Sequence, residues 1–181
     1  YVTDVLWGVF EGLKLPSALF ADTTIYFIAM SVGVALWAEF TVVFLNDKSS
    51  FGTFIKYVCR ATAGVIAFIT IINNFYPVLF TVDSNSVYTP LSARYVMLAV
   101  QIVLLLIISI RAITLMYRTK NPKQYRMLAA FGINMGVFLI IQFWFPYLPL
   151  YSIGYMLGTC FIHSFVVNSE KEGYKRDLEN R

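Results

Sequence analysis

Long apolar runs separated by short polar clusters constrain this chain more than any other feature. Because a bilayer core about 30 Å thick needs about 20 apolar residues per helical crossing, runs of this length point to a membrane rather than to a soluble core. The 181 residues are 59% hydrophobic and only 13% charged, whereas soluble domains carry about 25% charged side chains. That balance argues against a disordered chain and against a nucleic-acid-binding domain, despite a net charge of +4. Two cysteines far apart in sequence do not make a disulfide scaffold, so the expectation is an all-α, polytopic transmembrane bundle.

The punctuation predicts five full crossings and one truncated helix. Residues 1–13 form a helix too short to cross, starting without methionine or signal-peptide pattern, which suggests a fragment with an upstream stretch missing. A turn follows at Lys14–Ser17, with Pro16 as the breaker and Ser17 as the cap of a second helix running to Leu45. At 1.5 Å per residue that helix is roughly 43 Å long and must tilt or protrude. Asn46–Gly52 close it, and a third helix spans Thr53–Tyr76 before Pro77. Residues 78–91 alternate around DSNS and read as a short hairpin-like loop. Three further helices are expected over Ser92–Thr119, Lys123–Phe145 and Ser152 to at least Asn168. Residues 1–168 would then be the membrane bundle, and 169–181 the start of a charged cytoplasmic helix in which Tyr174 and Leu178 suit a heptad seam. A frayed polar tail is the alternative for that last segment.

Basic residues divide by side. Lys48, Lys56, Arg60, Arg111, Arg118, Lys120, Lys123, Arg126, Lys171, Lys175, Arg176 and Arg181 fall at one end of the bundle, and only Lys14 and Arg94 at the other. The positive-inside rule therefore predicts a cytoplasmic C-terminus, with the hairpin and the Tyr147–Tyr151 turn outside.

Ionisable and amide groups at bilayer depth need a partner or an aqueous cavity. Helical spacing puts Asp22, Tyr26, Met30, Gly33 and Trp37 on one face of the second helix, Arg94 and Gln101 on one face of the fourth, and Asn134, Phe138 and Gln142 on one face of the fifth. On the sixth, Tyr151, Tyr155 and Gly158 share a face, and Gly154 with Gly158 makes a small-xxx-small pair that admits a close neighbour. Asp4, Glu11, Asp22, Asn73, Asn74, Arg94, Gln101, Gln142 and Tyr155 are thus expected to converge in the outer half. Asp22, Tyr26, Arg94, Gln101, Gln142 and Tyr155 are the candidate ligand-binding residues, facing a small amphipathic or lipid-like molecule. Asp4, Glu11, Asp22 and Arg94 equally suit interfacial caps and ion pairs, and the amides suit helix-joining bonds of about 0.6 kcal/mol.

Other groups invite plainer readings. Glu39, Arg60 and Arg111 lie near the inner face and are expected to pair or snorkel. His163 reads as a packed, hydrogen-bonded side chain rather than a metal ligand, and Cys59 and Cys160 as small apolar residues. Trp7, Trp37 and Trp144 suit interfacial belts. No Walker loop, dinucleotide fingerprint, paired zinc histidines or nucleophile-histidine-carboxylate set occurs, so neither catalysis nor a cofactor or metal is expected.

The runs from Asp4 to Trp37, Asn73 to Asp83, Ala93 to Leu104 and Phe145 to Val166, followed by EKEGYKRDLE, resemble the membrane-embedded N-terminal sensory region of bacterial signalling proteins from anaerobic Firmicutes. In those proteins the region precedes a GGDEF diguanylate cyclase or a histidine kinase module. The resemblance implies a multi-helix receptor of the bacterial inner membrane whose last helix continues into the output domain, and a homodimer through that C-terminal helix is expected. A small solute transporter and a membrane-embedded enzyme using Glu39, Arg60, Arg111 and His163 are the rival expectations.

Overall fold

The computed structural model describes residues 2–118, 122–148 and 150–179, with the side chains of 124, 166, 168–170 and 172–179 outside the description. Six helices and one small hairpin are formed: α1 (Val2–Gly12), α2 (Pro16–Phe44), α3 (Ser50–Ile72), β1 (Phe80–Val82), β2 (Tyr88–Pro90), α4 (Ser92–Met116), α5 (Pro122–Trp144) and α6 (Leu150–Glu179). Four helices are long and apolar enough to cross a bilayer: α2, α3, α4 and, from Tyr125, α5. They mark the chain as a helical membrane protein.

Local chemistry sets the helix ends. Lys14 and Asn46 sit in the left-handed region (φ 53° and 50°), each two residues past the last residue of a helix. In both places a backbone bond reaches back to the preceding turn, Leu15 N–H to Phe10 and Asp47 N–H to Val42, which satisfies carbonyls the helix leaves open. Pro16 opens α2 itself, and Leu15, not Ser17, holds the cap position, because proline's fixed φ suits the first helical residue. Helix α3 starts three residues earlier than the sequence suggests, since the Ser49 hydroxyl accepts from Gly52 N–H at 3.1 Å. It stops at Ile72 because Asn73 turns its side chain to the following loop. The Asn73 amide donates to the Phe80 carbonyl and its oxygen accepts from Val78 and Leu79 N–H.

Helix α2 is the central post, touching α1, α3, α4 and strand β1, while α5 lies between α4 and α6. Small residues set the closest approaches. A side chain at Gly132 would meet the Ser109 hydroxyl of α4, and side chains at Gly154 and Gly158 would meet the rings of Phe138 and Phe131 on α5. The expected face of α5 is the one turned to α6, where Asn134 donates to the Gly154 carbonyl at 3.5 Å. Trp37 departs from its expected place in an interfacial belt. It is buried between α2 and α5, with its ring centroid 3.9 Å from that of Phe131, because the helix spacing puts it on the same face as Met30 and Gly33. His163, expected to be packed, is exposed on α6, and Cys59 is buried while Cys160 is exposed.

The hairpin pairs Phe80 with Pro90 and Val82 with Tyr88 in antiparallel register. Leu79, Phe80 and Tyr88 are buried, and Phe80 lies 4.9 Å from Phe20 and 5.6 Å from Phe27. The loop is therefore a plug on the N-terminal half of α2. The backbone of α6 runs through Gly173 to Glu179; the seam side chains Tyr174 and Leu178, and residues Lys120 and Arg181, lie outside the described set.

Candidate functional site

Under this plug, α1, α2, α4 and the α5–α6 turn enclose a half-open cavity of about 110 Å³. Asp4 and Trp7 come from α1, Asp22, Tyr26 and Phe27 from α2, Tyr88 from β2, Arg94 from α4, Gln142 from α5 and Tyr147 from the turn. Three larger crevices exist, between α3 and α4, between α5 and α6, and between α2 and α6, and the first of them is almost wholly apolar. Among these four spaces and the described residues, the cavity under the plug alone joins buried groups of both charges.

Gln142 organises its floor. The side-chain amide donates to the Tyr26 hydroxyl at 2.7 Å, and its oxygen accepts from the Tyr151 N–H at 3.1 Å. A first-turn N–H of α6, which no helical carbonyl serves, is thereby satisfied by α5. The Tyr151 hydroxyl in turn donates to the Met30 carbonyl on α2 at 3.1 Å, where a side chain at Gly33 would collide with it. Three helices, α2, α5 and α6, meet through two side chains.

Arg94 is 2% exposed. Its Nη2 reaches only the Gln142 carbonyl, at 3.4 Å, its guanidinium lies 5.3 Å from the Tyr95 ring centre, and Nη1 has no hydrogen-bond partner. Asp22 is 5% exposed, and its Oδ2 likewise has none. Buried groups with open valences are costly, and they gather where a ligand or ordered water completes them. The mouth is aromatic, with Tyr88 6.4 Å from Trp7 and 6.2 Å from Tyr147 between ring centres. Burial pushes the Tyr88 phenol up to about 12, so it remains a neutral donor at any physiological pH.

Four of the six candidate residues thus line one cavity: Asp22, Tyr26, Arg94 and Gln142. Gln101 does not. It is buried two turns along α4, with neither amide atom partnered. Tyr155 lines the separate α2–α6 crevice beside Tyr151 and Gly33. Of the wider set, Asp4 lines the cavity, Glu11 is exposed, and Asn73 and Asn74 bond to loop and helix-end backbone instead. Sequence periodicity could not find Tyr88, Tyr147 or Phe27 as cavity residues, because loop folding brings the first two in; Trp7 was legible only as an aromatic on α1.

At the opposite end, Arg111 donates to both Asp47 oxygens at 2.8 and 3.0 Å and to the Ser49 hydroxyl at 2.9 Å. The guanidinium holds the Asp47 carboxyl below the usual carboxylate range. Arg60 pairs with Glu39. The inner-face expectation of pairing is met by both. Among the described residues, no three His, Cys, Asp or Glu side chains are grouped as a metal site. Comparison with family models, with curated proteins and with solved structures returns no match.

Proposed function

We propose that the chain is the membrane-embedded input domain of a bacterial signalling protein, in which a small amphipathic ligand in the outer cavity biases α6 and, through it, a cytoplasmic diguanylate cyclase or histidine kinase. The observation that carries this reading is the double role of Gln142, which lines the cavity and holds both Tyr26 and the first turn of α6. A ligand that prefers one arrangement of Tyr26 and Gln142 acts on α6 in the same step, and only such a differential preference can signal.

In this reading α6 is the fifth crossing. Residues 150–167 contain no Asp, Glu, Lys or Arg and span about 27 Å, close to the hydrocarbon thickness. The Gly154 and Gly158 contacts with Phe138 and Phe131 form the surface on which α6 shifts against α5. The C-terminus is cytoplasmic and dimerises through the charged tail.

Two measurements test the proposal. Cysteine at the exposed Lys171 position should react with a membrane-impermeant maleimide only after spheroplasts are lysed; reaction in intact spheroplasts reverses the orientation. With a diguanylate cyclase joined after Arg181, Gln142→Leu should change cyclic di-GMP output relative to the parent. Equal output at equal protein level removes the coupling, and uptake of labelled solute into proteoliposomes would favour a transporter instead.

A further inference from the structure

The cavity's two open charges specify more than amphipathicity. Arg94 and Asp22 line the same small space, yet no ion pair joins them among the described residues, where the pairs of Arg60 with Glu39 and of Arg111 with Asp47 are made. Asp4 and Asp22 make the α1–α2 wall acidic, Arg94 makes the α4 wall basic, and Tyr26 lies within electrostatic reach of both Asp4 and Arg94.

A simple anion would satisfy Nη1 of Arg94 but meet the carboxylates. A simple cation would satisfy Oδ2 of Asp22 but meet the guanidinium. Discrimination against both is built in by the unlike charge each would face. A molecule carrying both signs leaves nothing unpaired. The guanidinium fork matches a carboxylate, and a primary ammonium supplies donors to Asp22. We therefore infer that the outer cavity binds a small amino-carboxylate zwitterion, with its carboxylate on Arg94 and its ammonium on Asp22. This deepens the ligand-sensing reading and rests on it.

Size and lining agree. About 110 Å³ is less than the roughly 150 Å³ of an apolar cavity that holds benzene, which suits an amino-acid headgroup and excludes an acyl chain. The remainder of the ligand lies at the open mouth, against Trp7, Tyr88 and Tyr147, so an aromatic or large apolar side chain fits best.

The test is binding to the full chain in nanodiscs, read by calorimetry, with L-phenylalanine, phenethylamine and 3-phenylpropionate. The last two lack the carboxylate and the ammonium respectively. Phenylalanine should bind about tenfold or more tighter than either, the value of one charge-assisted bond. Arg94→Gln should abolish its advantage over phenethylamine, and Asp22→Asn its advantage over 3-phenylpropionate, each without the other effect. Tyr147→Ala, at an exposed position, should weaken phenylalanine while leaving both headgroup preferences. Equal binding of phenylalanine and either half-molecule overturns the inference, as does an absence of saturable binding by every standard amino acid. Should a variant unfold, the three-ligand comparison on the parent decides alone. Failure of the sensing reading is separate: it appears as an unchanged cyclase output in Gln142→Leu, even where phenylalanine binds as expected.

Discussion

Helix α4 carries an arginine near each end, and the two live under opposite conditions. Arg111 has a carboxylate and a hydroxyl arranged around its fork, with Asp47 side chain 6% exposed and its own 25% exposed. Arg94 is more deeply buried, has one long bond to a carbonyl, and faces a cavity. One arginine closes its end of the bundle by tying the α2–α3 loop to α4. The other lines the cavity at the opposite end. The difference lies in what the neighbouring connection supplies: the left-handed Asn46 turn delivers Asp47 to Arg111, whereas the hairpin brings only the Tyr88 ring to the cavity that Arg94 lines.

The largest effect expected from breaking this contrast is at the Arg111 end. Asp47→Ala should cost about 2 kcal/mol in unfolding experiments in mild detergent, the scale of hydrogen bonds to charged groups tempered by partial exposure; a loss under about 0.5 kcal/mol would show that the clamp is decorative. Acid reads the same interaction. Since folding depresses the Asp47 pKa below the unfolded value of about 3.9, its contribution is complete above that pH and disappears as pH falls through the folded pKa. Asp47→Asn should flatten that acid limb, and an unchanged limb would assign it to other carboxylates.

At the Arg94 end Gln142→Leu removes two side-chain hydrogen bonds and should cost about 1 kcal/mol, at about 0.6 kcal/mol per bond within a membrane. The same unfolding assay would also reveal any larger penalty from the orphaned Tyr151 N–H. Smallest of all is the stability change expected for Arg94→Met in the unliganded protein. Removing an unpaired buried charge should shift stability by less than about 0.5 kcal/mol or raise it. A loss equal to that of Asp47→Ala would mean that Arg94 is fully paired, and the contrast between the two ends would vanish.

The sequence made the helices legible because apolar run length and Pro16, Pro77 and the DSNS tetrad carry their own physics. Boundaries slipped where a side chain does work that periodicity cannot see: Ser49 extends α3 backward, and Asn73 ends it early by bonding to the loop. Faces transferred well to the site, so Asp22, Tyr26, Arg94 and Gln142 met. Gln101 shares the Arg94 face yet lies two turns deeper, because a common face fixes direction and not depth. Tyr88 and Tyr147 sit on connections whose path depends on tertiary packing, so they were legible only as aromatics.

The hairpin is fastened at two points. Asn73 grips the incoming strand near Leu79 and Phe80, and one Asp83 oxygen accepts from Asn85 and Val87 N–H, closing the tip on itself. Mechanical strain applied at the exposed Ser84 should therefore dissipate inside the five-residue knot before it reaches the aromatic mouth. That makes Ser84 the natural attachment point for a fluorophore or crystallisation tag that must leave the cavity mouth undisturbed.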